Sequence, residues 1–249
     1  MATPDQPSVS GAAPAGAPDK QAAARAVREM FTAIAPRYDF LNHLLSMNVD
    51  RLWWRRASRT FAHVLARPDA RVLDLCCGTA DMALALRRRA ADSATILGAD
   101  FSHAMLALAR RKARGRVRLI EADALCLPLG NACLDLIVSA FGFRNLADYD
   151  AGLLEIFRVL RPAGEVGILD FGEPKGALGK IYRLYFRRVL PWVGTIISGV
   201  RGPYGYLPAS VERFPQPSEM LERMQAAGFH HVSWTPYTFG IAGLYRGRK

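Results

Sequence analysis

The stretch VLDLCCGTAD, residues 72–81, decides how the rest of the chain is read. An apolar run carrying one carboxylate, Asp74, stops at Gly78 and Thr79, and a helix-forming run, MALALRRRAAD, follows at once. Buried strand, small-residue turn and helix, in that order, open the nucleotide site of a doubly wound parallel sheet. The turn is not G-x-G-x-x-G, because Cys77 and Ala80 stand where glycines are expected. A pyrophosphate demands closely approaching backbone amides, hence those glycines. S-adenosylmethionine has no phosphate and tolerates Cys77 and Ala80, so the turn favours a methyl donor over a nicotinamide dinucleotide.

Outward from this turn, strand and helix alternate. Strands are expected at 71–76, 95–100, 117–122, 134–140 and 165–171, with helices over 81–90, 103–113 and 150–161. In the last helix Leu153, Phe157 and Leu160 share one face, and Pro162 with Gly164 ends it. Such alternation implies an α/β fold, a parallel sheet with helices on both sides. Ligands of these sheets sit at the carboxyl ends of the strands. That rule selects Asp74 to Thr79, Asp100, Asp123 and the segment after Ala140.

Asp100 stands where a carboxylate can accept both hydroxyl hydrogens of a ribose, and an aspartate there equally fits as a cap of the helix begun by DFSHAML. Asp123 could hydrogen-bond an adenine amino group, with Leu125 as an apolar wall. In SAFGFRN, Arg144 and Asn145 offer a cation and an amide suited to an oxygen that becomes anionic; taken alone they equally describe a surface arginine and a turn asparagine.

Residues 1–21 are rich in Ala, Pro, Gly and Ser and read as a disordered tail without a secretory signal. A single domain is expected over 22–249. Its 22–65 part is a helical cover, in which Val27, Met30, Phe31 and Ile34 lie on one helix face, Pro36 breaks that helix, and Asp50 caps a later one. The cofactor-binding core spans 66–172. A lid follows over 173–215, where seven Lys and Arg against two Glu leave a net charge of +5. A closing helix, SEMLERMQAAG, and two strand-like runs, HHVSWTPYT and GIAGLYRG, fill 216–249.

Half of the 249 residues are hydrophobic, which excludes global disorder, and no apolar run reaches the eighteen residues that a spanning helix needs. The four cysteines form no C-x-x-C pair and read as buried, reduced thiols of a cytoplasmic protein. The five histidines form no ligand pair, so no metal is expected. A net charge of +11 points to an anionic partner: nucleic acid, an acidic membrane surface or a phosphate-bearing ligand. Neither a nucleic-acid module nor a base-holding motif is present, so an RNA methyltransferase or other nucleic-acid partner is disfavoured. A non-catalytic membrane-binding protein with a degenerate cofactor fold has the altered turn CCGTAD as its sole support.

In order along the chain come MFTAIAPRYDFLNHLLSMNVDRLWWRR, VLDLCCGTAD, GADFSHAML, EADALCLPL, AFGFRNLADYDAGL, FRVLRPAGEVGILDF and YLPASVERFPQPSEMLERMQAAGF. With these the chain resembles the C-methyltransferases of ubiquinone and menaquinone biosynthesis, within the class I S-adenosylmethionine-dependent fold. The glycine turn is common to many methyltransferases. F-x-x-I-A-x-x-Y-D-x-x-N, F-G-x-R-N and L-x-x-S-V-x-x-F-P are far more specific.

The resemblance implies a Rossmann-like, seven-stranded, mostly parallel sheet with a helical N-terminal cover and a lid inserted after strand five. It implies methyl transfer from S-adenosylmethionine to a ring carbon of a prenylated hydroquinone. Thr79, Asp100, Asp123 and Ala124 would bind the donor, and Gly78 would let it approach the backbone. The serine that precedes F-G-x-R-N in the family is Ala140 here, which leaves a backbone contact only. Arg144 would stabilise the acceptor's phenolate and Asn145 orient its oxygen, with Tyr38 and Asp39 completing the pocket. The naphthoquinol acceptor of the menaquinone pathway is preferred to the benzoquinol of the ubiquinone pathway. The prenyl tail suggests visits to the anionic inner face of the cytoplasmic membrane through 175–213. Self-association into a homo-oligomer is neither required nor excluded.

Overall fold

The computed structural model describes residues 11–12, 17–35, 39, 46, 48–172, 174 and 203–249. Tyr38 and the aromatic, basic run 175–202 lie outside them. Among the described residues, seven strands form one sheet: β1 (Arg71–Leu75), β2 (Thr95–Asp100), β3 (Arg118–Glu121), β4 (Leu134–Ala140), β5 (Leu160–Phe171), β6 (His230–Tyr237) and β7 (Ala242–Arg248). Their order is β3-β2-β1-β4-β5-β7-β6, with β1 to β5 parallel and β7 antiparallel to both of its neighbours.

Val72, Leu73, Asp74 and Leu75 are all buried, which is why β1 reads as a continuous apolar run rather than an alternating one. The helices divide between the two faces. On one face α2 (Val49–Thr60), the short α3 (Ala62–Leu65) and α4 (Asp81–Arg87) pack Trp53, Phe61, Leu65 and Met82 against Val72 and Leu136. On the other, α6 (Tyr149–Val159) and α8 (Pro217–Ala226) pack Leu153, Ile156, Met220 and Met224 against Leu73 and Ile137. On that first face lies also α5 (His103–Ala113), through Ala109 and Ala113. The helices α1 (Lys20–Ile34) and α7 (Pro203–Arg213) bring residues beside the cavity at the carboxyl ends of the strands.

Several boundaries differ from the sequence expectation, each for a physical reason. The helix expected over 150–161 ends at Val159, because Leu160 already pairs with Leu134 and Pro162-Ala163-Gly164 become a bend inside β5, with Ala163 at φ +66°. Asp50 does not cap α2. Asn48 holds the cap position, and Asp50 is a buried first-turn residue that accepts from the Arg51 amide.

The tail expected through residue 21 is ordered wherever it is described. Asp19 accepts from the Ala22 amide and caps α1, and the buried Ala12 donates its amide to the Leu146 carbonyl at 2.7 Å. Of the four thiols, expected to be buried, only Cys77 is fully so; Cys76 and Cys133 are half-buried and Cys126 is exposed. None of the described helices is long and apolar enough to cross a membrane.

Candidate active site

One cavity opens at the carboxyl ends of β1, β2 and β4, where the topology places a ligand. About 760 Å³ of empty space lies within it, its open mouth included. Of the residues expected at the site, Gly78, Asp100, Asp123, Ala124, Ala140 and Asn145 line it. Asp74, Thr79 and Arg144 do not, and Tyr38 lies outside the described residues.

The turn after β1 shows why it suits a nucleoside better than a pyrophosphate. Cys76, Gly78 and Ala80 all take positive φ, +57°, +52° and +70°, and coil the turn tightly. Its amides are spent internally: Cys77 donates to the Ala99 carbonyl at 2.9 Å, Gly78 to Asp100 Oδ2 at 2.8 Å, and Ala80 to the Cys77 carbonyl at 2.8 Å. Gly142, after the neighbouring strand β4, forms the adjoining wall. A Cβ there would lie 2.4 Å from Cys76 Cβ, so this position needs glycine for close approach rather than for its own backbone angles.

Asp100 ends β2 and faces the cavity while its oxygens accept from the amides of Gly78 and Ser102, at 2.8 and 2.9 Å. Ser102, not Asp100, caps α5. Burial raises the Asp100 carboxyl, opposed by those amides and by the nearby Arg28 guanidinium. A carboxylate has lone pairs beyond two, so Asp100 can still take ribose hydroxyls. Asp123 accepts from the Leu125 amide at 2.9 Å, which fixes the loop after β3, and Ala124 lies buried beside it. Cys76 and Cys77 are pushed well above the ordinary thiol range by burial and by the surrounding carboxylates, which leaves them protonated and inert.

Three expected residues serve the frame instead. Asp74, buried, accepts from the Ala83 amide at 2.7 Å and ties β1 to the first turn of α4. Burial, with repulsion from Asp100 and Asp81, holds its carboxyl well above the usual range. The buried Thr79 donates its hydroxyl to Asp39 at 2.5 Å, and Lys112 bridges Asp39 and Asp81 at 2.7 Å each. Asp39 thus fastens the N-terminal cover to the first turn.

Arg144 is not the free cation that its sequence position suggested. It is 6 % exposed, pairs with the fully buried Asp170 at 2.9 Å, and donates to the Phe141 carbonyl. Asp170, near the end of β5, also accepts from the Arg144 amide at 3.1 Å and the Phe171 amide at 2.9 Å. The pair pins the 3-10 turn Phe143–Asn145 to the sheet and presents Asn145 to the cavity.

Other lining residues carried no readable signal. Ala24 and Phe31 come from α1, which crosses the cavity, with Arg28 over the Phe101 ring at 5.3 Å. The three-and-four spacing of α1 marks an apolar face but not what that face covers. Met105, Phe141 and Leu146 add to an apolar lining. Beside Asn145 stands Tyr206 of α7, its hydroxyl 3.2 Å from Asn145 Oδ1.

A sheet of this order, with a carboxylate closing β2 and a first turn whose amides face inward, defines a class I S-adenosylmethionine-dependent methyltransferase fold. A solved S-adenosylmethionine-dependent methyltransferase from Thermotoga maritima, a possible histamine N-methyltransferase, shares it. The TM-score is 0.64 at 19% identity, over 89% of this chain and 99% of that one. The ubiE/COQ5 methyltransferase family model matches residues 19–249, and the chain belongs to that family. It is 50% identical to the demethylmenaquinone methyltransferase of Thermus thermophilus, over 88% of this chain and all of that one. It is 48% identical to the demethylmenaquinone methyltransferase of Deinococcus radiodurans, over 93% and 95% of the two chains.

Proposed function

We propose that the protein methylates a ring carbon of a prenylated hydroquinol, converting demethylmenaquinol to menaquinol, with S-adenosylmethionine as donor. The inward-turned amides of Cys77, Gly78 and Ala80 carry the donor assignment, since they leave a nucleoside site ill-suited to a pyrophosphate. Asp100 would hold the ribose, Asp123 the adenine edge, and Gly78 the closest backbone approach. When bound, S-adenosylmethionine supplies a methyl group made electrophilic by its sulfonium. The names of the two relatives favour the naphthoquinol acceptor; the benzoquinol of ubiquinone biosynthesis is the second reading.

A quinone ring is too electron-poor to attack a methyl group, so the acceptor must arrive reduced. A phenol ordinarily titrates near 10, and the site must favour its phenolate. Asn145 is the polar side chain of the Phe143–Asn145 turn that lines the cavity, and its amide can donate to that oxygen. Arg144 contributes by holding the turn and adds little net field, because Asp170 neutralises it at 2.9 Å. The apolar walls at Phe31, Met105, Phe141 and Leu146 exclude water from the ring.

A prenyl tail and a chain of net charge +11 together support peripheral contact with an anionic membrane surface at the cytoplasmic face. Co-sedimentation with anionic vesicles that ignores salt and lipid charge would refute that contact. The reaction is tested by methyl transfer from labelled S-adenosylmethionine to chemically reduced demethylmenaquinol, beside a reduced polyprenyl methoxy-benzoquinol and total RNA. Label on the naphthoquinol is expected. Preference for the benzoquinol would move the enzyme to the other pathway, and label on RNA alone would overturn the assignment.

A further inference from the structure

We infer that Tyr206 is a positioning residue that sets the orientation of the Asn145 carboxamide, so that its NH₂ group rather than its carbonyl oxygen faces the acceptor ring. The inference rests on the proposed reaction and concerns which end of one amide meets the developing phenolate.

A carboxamide has two ends of nearly equal size and opposite hydrogen-bonding character. At an oxygen that gains negative charge, the NH₂ end stabilises and the carbonyl end repels. The main chain of Asn145 is fixed, since its amide donates to the Gly142 carbonyl at 3.0 Å and the turn is clamped by Arg144 and Asp170. Rotation about the last side-chain bond remains. The Tyr206 hydroxyl resolves it by lying 3.2 Å from Asn145 Oδ1. In the reversed amide Nδ2 would donate to the phenol oxygen, but the phenol proton would then need another acceptor. Among the described residues Asn145 Oδ1 is the acceptor that this hydroxyl reaches, so the observed orientation satisfies the proton and the reversed one leaves it without a partner. With Oδ1 taken, the NH₂ end is left for the cavity that Asn145 lines.

Tyr206 is suited to the task. It is held as a protonated donor: burial raises its phenol, and Asp170 adds to this against the Arg144 and Arg213 guanidinium groups. It is itself half-buried beside Tyr149, whose hydroxyl donates to the Arg144 carbonyl at 3.0 Å. Two tyrosines thus brace the Phe143–Asn145 turn, one on its main chain and one on its functional side chain. Tyr206 comes from α7, 61 residues downstream, so the orientation of the amide depends on the placement of that helix.

The experiment is a double-mutant cycle on turnover with reduced demethylmenaquinol, using Tyr206→Phe, Asn145→Ala and the pair. Tyr206→Phe keeps the ring and hence the packing; thermal melting and S-adenosylmethionine affinity are expected to match wild type. Its kcat should fall about tenfold with little change in the quinol KM, in the range of one hydrogen bond's net contribution. Asn145→Ala should fall about a hundredfold, and the pair should be no worse than Asn145→Ala alone. The pH at which kcat reaches half its maximum should move upward in Tyr206→Phe, because the phenolate is less favoured. Losses that multiply in the pair, or an unmoved pH profile, would overturn the inference while leaving the reaction in place. Absence of label on either quinol with wild-type enzyme would overturn both.

Discussion

Replacing Arg144 by Ala separates two accounts of this residue. A cation standing free at a site mouth can be removed at a cost within about 0.5 kcal/mol of stability, the usual range for surface positions. The structure instead buries Arg144 against Asp170, which is 0% exposed. Removing one partner of a buried ion pair leaves an uncompensated charge and costs about 3–5 kcal/mol. Contact with the Phe171 ring, 5.1 Å from the guanidinium carbon, is lost as well. With a urea dependence of roughly 2 kcal/mol per molar, the unfolding midpoint should drop by about 1.5–2.5 M, followed by tryptophan fluorescence.

Arg144→Met with Asp170→Asn removes both charges and keeps a carbonyl oxygen for one of the two main-chain amides, of residues 144 and 171, that bond separate oxygens of Asp170. That pair should recover more than half of the loss, since uncharged replacements of buried pairs are often neutral. S-adenosylmethionine affinity should survive in the double variant, because neither Arg144 nor Asp170 lines the cavity. A midpoint for Arg144→Ala within about 0.3 M of wild type, the equivalent of that surface range, would refute the buried-pair account.

Asp100→Ala should weaken S-adenosylmethionine binding by about 10- to 100-fold by calorimetry, the value of hydrogen bonds to a charged group; unchanged affinity would remove Asp100 from the site. Burial holds Asp74 above the usual carboxylate range, so the folded state keeps a proton that the unfolded chain releases, and stability falls as pH rises from about 4 through the raised value. Asp74→Asn cannot titrate and should flatten that fall in melts taken between pH 4 and 7; a parallel pH slope would contradict the sign. Gly142→Ala, whose new Cβ would lie 2.4 Å from Cys76 Cβ, should cost about 1–3 kcal/mol. Cys76→Gly should suppress that cost, and independent, additive melting shifts would show that the two walls do not touch.

Periodicity made the sheet legible. β1, β2 and β4 are mostly apolar runs bounded by turn signals, and the ends expected for β2 and β4 are the ends observed. Boundaries slipped where a long-range partner outweighed a local breaker, as at Leu160, which pairs with Leu134 although Pro162 and Gly164 follow. The site was legible where a residue's chemistry is its role: Asp100, Asp123 and Asn145 all reach the cavity.

It was illegible where a role depends on a partner far along the chain. Arg144 and Asn145 are adjacent in sequence and chemically suited to the same oxygen, yet one is spent on Asp170, 26 residues away, and the other keeps a face to the cavity. Thr79 is likewise spent on Asp39, 40 residues before it. A motif therefore carries its framework and its chemistry together in adjacent letters. Which letter does which follows from who neutralises the charge: in F-G-x-R-N the arginine is spent on Asp170, while the asparagine lines the cavity.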